Sequence, residues 1–186
     1  MAMSVRPDDR VRYGGAARLL HWLMALLIAV QIPVGIVMSY RGNHLDLWNA
    51  TTDFLYSTHK SLGFFLLILV AVRFLVRMVA GAPSPEPGLP RWQRRIAAAN
   101  HGGLYLLLLV VPLLGWYGAS LFPALKVFGV VSLPSISGVN RAASDAVSTL
   151  HGMAAFLLVA LIGWHVVAAL HHHFIRGDGV LRRMLP

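Results

Sequence analysis

Four long apolar runs alternate with short polar stretches along the chain, and they predict four helices over about residues 16–40, 58–80, 101–122 and 149–174. Each run is near the length of about 20 residues that a helix needs to cross a hydrocarbon core. The runs are apolar on nearly every side, so little polar face remains for water, as a soluble bundle would require. The expectation is an all-α integral membrane protein, a single domain over 1–186 forming an up-and-down four-helix bundle in lipid. Pro33 is expected to kink or loosen the outer end of the first helix. The first run has arginines ahead of it, as a signal peptide would. Its length and the poor cleavage site at Val37-Met38-Ser39 predict that it is retained.

The connections are read from the same pattern. Residues 1–12 form a polar tail expected to be loosely ordered. An outer loop spans 41–57, and a rigid inner connection rich in Pro and Gly spans 81–90. The longest connection, 123–148, lies on the outer side. From Asn140 onward it reads as a short helix that Asn140 caps and that leads straight into the fourth run.

Composition sharpens this picture. The chain has 186 residues, of which 57% are hydrophobic and 12% charged, about half the charge of a soluble domain. Sorting its 16 cations by helix polarity puts Arg6, Arg10, Arg12, Arg18, Arg73, Arg77, Arg91, Arg94, Arg95, Arg176, Arg182 and Arg183 on the side of the termini. Only Arg41, Lys60, Lys126 and Arg141 fall on the other. The positive-inside bias therefore predicts both termini in the cytoplasm. Basic residues at helix ends meet anionic lipid, so the net charge of +9 needs no nucleic-acid partner. The absence of cysteine excludes disulfides, thiolate metal sites, iron–sulfur clusters and covalently attached haem.

Histidines carry the candidate chemistry. His151 and His165 lie on one helix, and at about 100° and 1.5 Å per residue His165 returns to within about 40° of the face of His151, roughly 21 Å along the axis. Ionisable residues inside a bilayer are costly and usually functional. By depth, His59 and His151 share the outer level, and His21 and His165 share the inner one. Topology thus predicts two bis-histidine sites stacked across the membrane. Haem suits them, because its iron takes two axial imidazoles from opposite sides and its apolar ring fits between helices. Zinc would need three or four ligands close together. The haem propionates would find cations in Arg18, Arg73 and Arg77 at the inner site and in Lys60 or Arg141 at the outer one. His172 shares the face of His165 about 10 Å further along and is the rival inner ligand. His101 is open between an inner ligand, a proton donor to a substrate and an interfacial residue. His171 to His173 read as an interfacial cluster or a quinone-side contact, His44 as a loop residue, and Met24 and Met153 as packing.

Five strings support a family resemblance: RYGGAARLLHW (12–22), HKSLG (59–63), RFLVR (73–77), PLLGW (112–116) and HHHFIRGDGVLRRMLP (171–186). In their order and spacing they resemble the bacterial cytochrome b561 family over the chain from Arg12 onward. The resemblance implies a bacterial inner-membrane protein with two non-covalent b haems, held by His21 with His165 and by His59 with His151. It also implies an oxidoreductase that passes electrons from a small diffusible donor, superoxide, to ubiquinone. Lys60, Lys126 and Arg141 would then draw the anion to the outer side, and His101, His171 or His172 would serve the quinone. One departure is Gly152, which follows His151 where the family often has an acidic residue. Two other readings are a membrane-anchor cytochrome b subunit of a hydrogenase or formate dehydrogenase, and a non-haem metal transporter. The first keeps the histidine layout but needs a docking surface; the second lacks intramembrane carboxylates.

Overall fold

The computed structural model describes residues 12–84, 86 and 88–185; Arg6 and Arg10, counted above among the inner cations, lie outside them, as does most of the polar N-terminal tail. The chain forms four long helices, α1 (Gly15–Ser39), α2 (Ala50–Ala80), α3 (Arg91–Leu121) and α4 (Arg141–His171), with a two-stranded hairpin of β1 (Lys126–Val127) and β2 (Val131–Ser132) between α3 and α4. All four helices are long and apolar enough to cross a membrane. They pack in succession, α1 on α2, α2 on α3 and α3 on α4, as an up-and-down bundle does. Helices α1 and α4 each close in a turn of π-helix, Tyr40–His44 and His172–Arg176.

Three of the helices begin well before the apolar runs that predicted them. Asn49 caps α2 by accepting from the Thr52 N–H, and Asn140 caps α4 by accepting from the Ala143 N–H. Pro90, whose φ is fixed, precedes α3. Once nucleated by these residues, a helix propagates through polar turns that no hydropathy pattern marks. At 1.5 Å per residue, 31 residues span about 46 Å. That exceeds the roughly 30 Å hydrocarbon core, so the added turns stand in the headgroup layers. Pro33 does not end α1, which continues through it to Ser39.

A small apolar core of Met24, Leu66, Leu69 and Val70 lies between α1 and α2, with Tyr105 and Leu108 of α3 against it. Met24 is therefore a packing residue. Large apolar side chains such as Leu26, Val79, Phe156 and Val167 are exposed on the outside of the bundle. Lipid, not protein, covers them, which is what the all-round apolar runs require.

The two ends of the bundle, named outer and inner after the orientation that the arginines predict, are closed differently. On the outer side the hairpin turns through the left-handed region at Phe128 and Gly129, with φ of 51° and 70°. The Phe128 N–H donates to Ser57 Oγ at the start of α2, and the Phe128 ring rests on Phe54. Trp116 Nε1 donates to the Pro134 carbonyl and pins the following segment to α3. On the inner side Gly177, at φ 66°, turns the chain back beneath the helices. Trp22 Nε1 donates to the Met184 carbonyl and an Arg18 guanidinium N–H to that of Leu185. Arg183 pairs with Glu86 and donates to the Ser84 carbonyl. The C-terminal segment thus ties α1 to the connection between α2 and α3.

Candidate haem-binding site

At the outer level His59 of α2 and His151 of α4 face each other with ring centroids 6.2 Å apart. Each ring is seated against a glycine of a neighbouring helix. A Cβ built on Gly35 would lie 2.9 Å from His59 Cε1, and one on Gly115 would lie 3.1 Å from His151 Cε1. Gly35 follows Pro33 and Gly115 follows Pro112 within one helical turn, so the Pro–Gly segments of α1 and α3 are clefts that admit imidazoles. The Val111 carbonyl can only accept, so His151 donates from Nδ1 at 2.9 Å and keeps the lone pair of Nε2 free. His59 Nδ1 is buried and has no hydrogen-bond partner among the described residues. Its backbone is fixed by Gln31, whose amide donates to the His59 carbonyl at 2.9 Å.

At the inner level His21 of α1 and His165 of α4 have ring centroids 6.1 Å apart. His101 of α3 joins them, its ring 5.4 Å from that of His165. His101 donates from Nδ1 to the Ala97 carbonyl at 2.7 Å. Arg73 donates to the Ala17 carbonyl at 2.8 Å and approaches His21 Nδ1 at 3.4 Å. Arg77 reaches the hydroxyl of Tyr13 and lies over its ring.

These spacings allow a test of the haem expectation. An imidazole nitrogen binds a first-row metal at about 2.0–2.1 Å and lies roughly 1 Å from its ring centre, so two axial imidazoles on one ion have centroids about 6 Å apart. Both pairs meet that spacing. Among the described residues, no three of His, Cys, Asp or Glu converge on a common metal position, so the two facing rings at each level would suit the two axial positions of a haem iron better than the three or four ligands of zinc.

The other candidates fall in several places. Lys60 Nζ donates to the Ala124 and Lys126 carbonyls at 2.8 and 2.7 Å, which ties the hairpin to α2. Lys126 is exposed on the hairpin, and the Arg141 guanidinium lies 5.1 Å over the Phe122 ring. His44 closes the outer π turn beside Tyr40. His171 stacks edge-on against His172. His172 is engaged in the C-terminal turn, its Nδ1 2.6 Å from Asp178 Oδ2. Arg176 Nε is 3.4 Å from the same oxygen.

Asp178 lies beyond the spans, where a carboxylate's ordinary pKa is 3.8. Burial acts to raise it, but the hydrogen bonds from His172 and the Val180 N–H, with the charge of Arg176, outweigh burial and lower it. A depressed carboxylate contributes stability that is fully present above its unfolded value and is lost as pH falls through the folded one. The C-terminal turn should therefore hold at neutral pH and loosen only on acidification below about pH 4. Limited proteolysis after Arg176, followed against pH, checks this; an Asp178→Asn variant should be cleaved readily at every pH.

The model of the prokaryotic cytochrome b561 family matches residues 12–186. The chain belongs to that family. Cytochrome b561 homolog 2 of Escherichia coli K12 is 32% identical over 175 residues, which are 94% of this chain and 91% of that protein. Cytochrome b562 of Cereibacter sphaeroides is 30% identical over 173 residues, 89% and 90% of the two chains. The probable superoxide oxidase CybB of Yersinia pestis is 26% identical over 171 residues, 90% and 92%. As a cytochrome b561 family member this is a membrane-embedded electron-transfer oxidoreductase, and membership implies haem b. The two histidine pairs lie in the stretch that the family match covers.

Proposed function

We propose that the chain holds two b haems, one between His59 and His151 and one between His21 and His165, and carries electrons across the bacterial inner membrane from superoxide to ubiquinone. The observation that carries this reading is the pair of opposed imidazoles at axial spacing at each of two levels. Haem supplies one-electron transfer when bound. The protein's residues orient the two groups, exclude water and set charge around them.

Two superoxide anions give up one electron each and leave as dioxygen, and one ubiquinone takes up both electrons with two protons. Superoxide as donor is supported by the name of the Yersinia relative and by the cations of the outer face. The charges of Lys60, Lys126 and Arg141 make that face attractive to an anion. The quinone would meet the inner end, where His101, His171 and His172 lie. Both termini would face the cytoplasm, since the inner ends carry most of the arginines.

Purified protein loaded with haem and reconstituted with ubiquinone tests this directly. The expected result is a low-spin b-type spectrum of two haems per chain, reduced by superoxide and reoxidised by the quinone. A haem-loaded protein that superoxide fails to reduce would remove the donor assignment. A chain that binds no haem would remove the whole reading.

A further inference from the structure

We infer that the groove between α3 and α4 at the inner level holds the ubiquinone head group, with the side-chain amide of Asn100 as its polar anchor. This rests on the quinone reading proposed above and names the site for it.

Ile96, Ala99 and Asn100 of α3 and Leu161 and Trp164 of α4 line a pocket of about 380 Å³. Small-molecule sites span about 300–1,000 Å³ and are mostly apolar with a few polar groups. On α3 and on α4 the lining residues fall three or four apart and share one face. Gly103, one turn beyond Asn100, lets the two helices close there, since a Cβ on it would lie 2.9 Å from Leu161 Cδ1. Ile96 and Trp164 are exposed on the outside of the bundle, so the pocket opens toward lipid, the phase that carries a quinone.

One polar group sits in this apolar lining. Asn100 is only 9% exposed, and its Oδ1 is buried with no hydrogen-bond partner among the described residues. The other buried polar side chains, Thr52, Ser57, Ser120 and Ser144, each have one. A buried acceptor without a donor is costly, so one kept in such a place calls for a ligand that donates. Ionised propionate and phosphate groups only accept, so neither a haem edge nor a lipid phosphate meets that need. A side-chain amide both donates and accepts. It therefore matches a quinone carbonyl through Nδ2 and a quinol hydroxyl through Oδ1, the two forms of a head group that takes up two electrons and two protons. Trp164 offers the ring a flat apolar wall.

The groove also stands beside the inner histidines. Asn100 and Trp164 immediately precede His101 and His165, whose rings lie 5.4 Å apart. His172, another quinone-side candidate, is held by Asp178 in the C-terminal turn.

Photolabelling of the haem-loaded, full-length protein in nanodiscs with an azido-ubiquinone tests this. The label should map to residues 96–100 and 161–164, and excess ubiquinone-1 should compete it away. A label on 171–173 instead, or one in the groove that excess ubiquinone-1 leaves in place, would overturn the inference. Asn100→Leu should raise the ubiquinone KM about tenfold, the worth of one hydrogen bond, while both haem spectra and the rate of haem reduction by superoxide are kept. Ala99→Phe, which fills the groove and keeps the amide, should raise KM as well. An unmoved KM in Asn100→Leu would overturn the inference. Haems that superoxide fails to reduce, in a protein still labelled in the groove, would remove the donor reading and leave this site standing.

Discussion

His151→Ala and His165→Ala should each abolish a different haem. The first variant should lose the outer group and keep the inner, the second the reverse, so each purified protein should carry half the parent haem content. The two histidines lie fourteen residues apart on α4, about 21 Å along its axis, and each faces a partner on a different helix. Removing one imidazole leaves a single axial nitrogen at that level and leaves the other level intact. The remaining haem should have the same potential in His59→Ala as in His151→Ala, and likewise in His21→Ala and His165→Ala. Pyridine haemochrome quantitation and redox titration read both points. Retention of two haems on changing His151 and His165 together would refute the pairing.

The shared depths of these histidines were legible before the structure, because depth in a membrane bundle follows from helix order alone. Histidines near the starts of two parallel helices, such as His59 and His151, share a level, and so do one near the start of a helix and one far along an antiparallel helix, such as His21 and His165, whatever the rotation about each axis. Rotation, by contrast, is set by packing between helices. His101 could be placed on the inner side but not beside His165, since its azimuth depends on how α3 meets α4. The same limit applied to Gly35 and Gly115. Nothing in the pattern along the chain marks them, and their use as seats for His59 and His151 exists only once α1 lies on α2 and α3 on α4. The early starts of α2 and α3 were missed for another reason. Residues 50–57 and 91–100 are too polar to register as spanning segments, and their helicity comes from capping and propagation. The C-terminal closure left no side-chain signature, because its bonds run largely to the backbone carbonyls of Arg183, Met184 and Leu185.

The glycine seats give the sharper test of whether the outer site depends on helix packing as well as on ligands. Gly35→Ala should impair the outer haem more than Gly115→Ala does, and neither should touch the inner one. At Gly35 the new methyl would stand 2.9 Å from a ring carbon of His59, closer than such contacts occur, so the imidazole must swing away. At Gly115 the distance is 3.1 Å and a smaller shift suffices. An imidazole pushed about 30° off its rotamer costs roughly 0.5–1.5 kcal/mol, and it also loses its aim at the opposite histidine, to which axial ligation is far more sensitive. The outer haem of Gly35→Ala should therefore turn partly high-spin or be lost. Gly163→Ala is the control, since a Cβ there meets nothing within 4 Å. In a helix interior that change alone favours the folded state by up to about 1 kcal/mol. It should raise the thermal midpoint while both haems keep their spectra. If Gly35→Ala behaved like Gly163→Ala, the seat would be unnecessary, and His59 would be held by its iron and its own helix alone.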